Sequence, residues 1–204
     1  MLEALITSRT RRDLLALLFT NPDLEFYMRE ISRKINSEIN AVRAELQSLE
    51  DAGVLASERK GNLKYFRVNK KCPIFDELRK IIIKTEGVGS AVRDALTGSN
   101  ARFSFIFGSC AKGTEVPASD VDLMVIGDIP RMEEFNEKLS NAERRIGRDI
   151  NYSIYPEGEF LKKLPSNAFL SGVSFGKKIM ILGEENEFKR FIEGGKRKKN
   201  KEKR

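Results

Sequence analysis

Two apolar runs of strand length, ARFSFIF at 101–107 and VDLMVI at 121–126, each carry chemistry at one end. Gly108-Ser109 interrupts the first, and Asp120, with Asp122 two residues on, opens the second. Ten residues separate Ser109 from Asp120. Side chains alternate along a strand, so Asp120 and Asp122 share one face. Two carboxylates held that close repel, and a divalent cation between them is the simplest remedy. Oxygen donors alone select Mg²⁺ or Mn²⁺ over zinc. Ahead of them Gly108 lets a phosphate approach the backbone, while Ser109 adds a hydroxyl and amides at a predicted helix start. Lys112 is a further candidate phosphate contact. A phosphate cradle beside paired carboxylates suits phosphoryl or nucleotidyl transfer.

Composition narrows the alternatives. The chain of 204 residues has no histidine, which removes every Ser-His or Cys-His nucleophile pair and every zinc site that needs one. Cys110 therefore reads as a small packed residue, and Ser109 as a binding group. Two cysteines are too few for a disulfide framework, and a reducing interior is expected. Acidic Glu3 argues against a leader at the start of this sequence, and no apolar stretch reaches membrane-spanning length. The expectation is a cytoplasmic protein with no membrane association. Residues 196–204 hold seven basic side chains and one acidic, so most of the net charge of +7 lies there. The stretch 194–204 reads as a disordered basic tail, either a solvated end or an arm for phosphate backbones.

The first 71 residues form a separate pattern. Thr10, with Asp13 three residues on, predicts the start of a helix that Asn21-Pro22 ends. A short helix fits 28–35. A third, capped by Ser37, follows from the stripe Ile39, Val42, Leu46 and Leu49, with Gly53 closing it. Asn40, Arg43 and Gln47 face away from that stripe. Lys60-Gly61-Asn62 then turns between two extended stretches, with Lys64, Phe66 and Val68 on one face of the second.

Three helices and a basic-tipped hairpin resemble the winged helix-turn-helix modules of prokaryotic transcription regulators. The resemblance implies DNA binding. Ser37 sits at the reading helix, Asn40, Arg43 and Gln47 reach base edges, and Arg59, Lys60 and Lys64 meet phosphates. Winged folds also serve as protein-docking or dimerisation modules. Residues 72–99 read as connecting helices, the first built on Ile74, Leu78, Ile81 and Ile82.

The segment FGSCAKGTEVPASDVDLMVIGD resembles the G-S-x(10)-D-x-D signature of the DNA polymerase beta-like nucleotidyltransferases, and is nearest to the minimal branch of that superfamily. The resemblance implies a two-domain α+β or α/β chain whose transferase domain, 100–193, carries a mixed sheet. It implies that Gly108 and Ser109 hold phosphates, and that Asp120 and Asp122 bind Mg²⁺ or Mn²⁺. A helix predicted over the Met132–Ile146 stripe leads to a strand opening at Arg148-Asp149, which gives Asp149 the family's third carboxylate. The expected activity moves a nucleoside monophosphate from an NTP, ATP first, to an unspecified acceptor. An antitoxin role, with a toxin-like protein as acceptor, is a further implication, and a homodimer is compatible. The alternative is a DNA-binding transcription regulator whose transferase-like domain only senses nucleotide or dimerises.

Overall fold

The computed structural model describes residues 2–112 and 119–202, and it divides into two compact units. The first comprises the residues up to 91 together with 119 and 139–148, and the second comprises the others. No helix among the described residues is long and apolar enough to cross a membrane.

In the first unit α1 spans Arg9–Thr20. Its cap is Ser8, not Thr10: the Ser8 hydroxyl accepts the Arg11 amide at 3.2 Å and itself donates to Glu45 at 2.6 Å. That second bond, to a residue 37 positions away, favours Ser8 over the local pattern. β1 (Phe26–Tyr27) leads directly into α2 (Met28–Lys34), and α3 spans Ile39–Asp51. Val42, Leu46 and Leu49 are buried along α3 as the stripe predicts. Glu38 occupies the N-cap of α3 without a side-chain bond, which displaces Ser37 from the capping role. Ser37 is instead held by its own carbonyl, which accepts the Ser32 hydroxyl at 2.7 Å.

β2 (Leu55–Lys60) and β3 (Leu63–Val68) pair antiparallel from Leu55–Val68 to Lys60–Leu63. The two-residue loop between them places Gly61 at φ +60°, where a side chain would be strained. β1 adds to the far side of β3, giving the order β1-β3-β2. α4 (Phe75–Thr85) packs within this unit, with Ile82 in its core and Phe75 stacked on Phe19 at 5.9 Å. Its inward face is rotated from the expected one. Ile74 and Ile81 are exposed, while Ile83 is buried with Ile82. Buried Arg148 donates to the Ser119 carbonyl at 2.6 Å and to the Thr20 carbonyl at 2.5 Å.

The second unit begins inside α5 (Val88–Leu96). β4 (Phe103–Phe107) passes into the short helix α6 (Gly108–Lys112), and β5 (Val121–Ile126) precedes α7 (Met132–Ile146), within which the division between units falls again. β6 (Ile150–Tyr155), α8 (Glu157–Lys163), α9 (Ala168–Phe175), β7 (Ile179–Leu182) and α10 (Glu185–Glu202) complete the chain. The sheet is mixed, in the order β6-β5-β4-β7, with β5 and β6 parallel and the other pairs antiparallel.

Phe103, Phe105, Phe107, Met124 and Ile126 line one face of this sheet. Phe160, Leu164, Leu170, Phe188 and Ile192 cover it from α8, α9 and α10. Burying six or more large side chains there, at roughly 1.5–3 kcal/mol each, fixes which way the strands face. The expected start of the basic tail at 194 falls inside α10, whose helical backbone passes through Gly194 and Gly195.

Candidate functional site

The packed face determines where the acids point. Met124 and Ile126 are buried on it, so Asp122, two residues before Met124, lies on the same side of β5 at its open end. In register, Asp122 stands between Phe107 on β4 and Asn151 on β6. Asp120, one residue before the strand, is exposed and accepts a hydrogen bond from the Asn151 amide at 2.7 Å.

Gly108 is the first residue after β4 and adopts φ +71°. A β-carbon there would overlap Oδ2 of Asp122, so only glycine allows the turn and the acid to come this close. Ser109 follows in α6, half-buried, and Lys112 at its end is exposed. Cys110 is buried, as a packing residue should be. Gly108, Ser109, Asp120 and Asp122 therefore come from two adjacent strand ends of one sheet.

Asp149 stands just before β6, exposed, and its carbonyl accepts the Val121 amide at 2.8 Å. Among the described residues no three acidic, cysteine or histidine side chains gather closely enough to hold a metal ion. Asp149 does not join Asp120 and Asp122 in such a group, and Asn151 is one neighbour that touches Asp120. Period two from Asp149 marks position 151 on the same face, but an amide carries no acidic signature in a sequence. Hard oxygen donors at Asp120 and Asp122 fit Mg²⁺ or Mn²⁺.

In the first unit a concavity of about 950 Å³ lies between α2, α3 and the β2–β3 hairpin. Arg43, Gln47 and Lys64 line it, joined by Tyr27, Arg29 and Arg33, which periodicity alone does not single out. Asn40 and Arg59 are exposed outside it, as is Lys60, and Ser37 is half-buried. Two of the expected hairpin cations are partnered. Lys60 pairs with Glu25 at 2.5 Å and Lys64 with Glu50 at 2.7 Å. Gln47 donates to Asp51 at 2.8 Å. The Lys60 pair lowers the pKa of Glu25, chiefly through its hydrogen bond, and raises that of Lys60.

Residues 74–173 match the family model of the nucleotidyltransferase domain, a span that contains Gly108, Ser109, Asp120, Asp122, Asp149 and Asn151. The match covers just under half of the chain and takes in β4, β5 and β6 of the mixed sheet. More particular likenesses are distant. A toxin–antitoxin complex with AMP-PNP is 14% identical with a TM-score of 0.37, over 55% of this chain and 86% of that one. A mutant of the MntA–HpeT toxin–antitoxin complex gives the same values. A protein provisionally described as a nucleotidyltransferase of Sulfolobus solfataricus is 23% identical with a TM-score of 0.27, over 40% and 75%. No curated protein matches the sequence.

Proposed function

We propose that the protein is a Mg²⁺-dependent nucleotidyltransferase that transfers a nucleoside monophosphate from an NTP, ATP in the first instance, and that its N-terminal unit is a winged helix-turn-helix module that binds DNA. The observation that carries the transferase reading is the apposition of Gly108 to Asp122, with Asp120 at the same strand end.

In this reading Asp120 and Asp122 hold Mg²⁺, with Asp149 as a further ligand supplied by movement of its exposed side chain. The cation supplies charge neutralisation on the triphosphate. Gly108 and Ser109 bind the outer phosphates, and Lys112 adds a positive charge beside them. Asp149 accepts the proton of the acceptor hydroxyl, the oxygen bonds to the α-phosphorus, and the bond to the bridging oxygen breaks with pyrophosphate leaving. A toxin-like protein is the acceptor class that the sequence resemblance favours.

The test is Mg²⁺-dependent release of pyrophosphate from ATP in the presence of candidate acceptors. Asp120→Asn abolishes it while leaving thermal unfolding nearly unchanged, and activity that survives the change refutes the assignment. The second reading, a regulator that only senses nucleotide, draws on the Asn151 amide bound to Asp120 where an acid would serve catalysis better. ATP binding without turnover on any acceptor would favour it.

For the DNA module, support comes from Arg29, Arg33 and Arg43 around one concavity, where a phosphate backbone could pass between helix and hairpin. A mobility shift with the upstream DNA tests it. Arg43→Ala weakens specific binding by about tenfold, in line with the loss of one base contact. If removing residues 196–204 eliminates all binding, the charge of that run, and not the winged module, is responsible.

A further inference from the structure

We infer that Phe169 is the stacking platform for the base of the bound nucleotide, a role that rests on the nucleotidyltransferase reading of the neighbouring acids. Phe169 is the second residue of α9, beside Leu170, which is fully buried. Phe169 itself is 49% exposed. Its ring meets Phe107 edge-on, with centroids 5.7 Å apart and planes at 71°. Phe107 immediately precedes Gly108 and lies opposite Asp122 in the β4–β5 register. One aromatic contact therefore links the open ring to the strand end where the phosphates would bind.

The space beside the ring is also open. Gly172 lies one helical turn on from Phe169, on the same side of α9, and is exposed. A β-carbon built at Gly172 meets nothing within 4 Å. No side chain at that position competes for the ring. Every base has a π-face, so stacking on an aromatic side chain contributes affinity without selecting the base. The ligand class is any nucleoside triphosphate, held by its phosphates at Gly108-Ser109 and by its base at Phe169.

Titration calorimetry on the full chain with Mg²⁺ tests this, using a non-hydrolysable ATP analogue and inorganic tripolyphosphate as paired probes. Phe169→Ala is expected to weaken the analogue by roughly tenfold and leave tripolyphosphate unchanged, while Phe169→Tyr retains wild-type affinity. Gly172→Leu, which covers the ring from an open position, is expected to act like Phe169→Ala and carries the test if that variant does not fold. An equal loss for both probes, or a loss for neither, overturns the platform. If the unaltered chain binds neither probe, or if Asp120→Asn leaves both affinities unchanged, the nucleotidyltransferase reading fails instead.

Discussion

The α-carbon of Gly108 faces the carboxylate of Asp122 so closely that a β-carbon would occupy the same space as Oδ2. The apposition explains why a glycine and not merely a small residue stands after β4. Gly108→Ala adds both a clash and a left-handed alanine, the latter alone costing about 1 kcal/mol. The expected result is a melting temperature at least about 2–4 °C lower, together with loss of ATP binding. Calorimetry of the variant checks the first effect and nucleotide titration the second.

Asn151 offers a separate handle on the acids. Its bond to Asp120 is exposed, so Asn151→Ala should change stability by no more than about 0.5–1.5 kcal/mol. Asn151→Asp adds a third carboxylate beside Asp120 and Asp122, which destabilises the fold in EDTA and strengthens any cation site. The Mn²⁺-induced rise in melting temperature should be larger in Asn151→Asp than in the wild type. An equal rise in both would place the cation elsewhere.

Much of this architecture was legible before any coordinates. The hairpin follows from Gly61-Asn62 between alternating stretches, the α3 stripe from its spacing, and the acid pair from its position at the head of an apolar run. What was not legible depends on residues distant in sequence. Thr10 and Ser8 are both competent caps, and it is Glu45 that favours Ser8. Ile81, Ile82 and Ile83 are all apolar, so the phase of α4 cannot be read from them and is set by packing. Lys60 lies 35 residues from Glu25, which neutralises it.

The acid limb of the first unit should depend on Glu50. The hydrogen bond from Lys64, followed by that from the Ser57 hydroxyl, holds its pKa below the ordinary value of 4.5. A depressed folded pKa contributes stability that is present above 4.5 and is lost as the pH falls through the folded value. Glu86 works in the opposite direction. Burial is the main cause of its raised pKa, so its contribution is full below 4.5 and is lost as the pH rises through the folded value. Glu50→Gln should therefore lower the urea midpoint at pH 7 by the equivalent of about 1 kcal/mol or less and flatten its fall toward pH 3. Glu86→Gln should raise the midpoint at pH 7 and leave it unchanged at pH 3. Parallel curves for the wild type and both variants would contradict these assignments.

Gly194 and Gly195 are adjacent in α10 but have different surroundings. A β-carbon at Gly194 meets nothing within 4 Å, whereas at Gly195 it meets Cδ2 of Leu161 at 2.5 Å. Leu161 packs against the aromatic core of the second unit, so the Gly195 position is a close approach between α10 and α8. Gly194→Ala should stabilise the protein by about 0.5–1 kcal/mol through helix propensity alone. Gly195→Ala gains the same propensity but forces Leu161 to move, and the net effect should be a lower melting temperature. Melting curves of the two variants give the comparison directly.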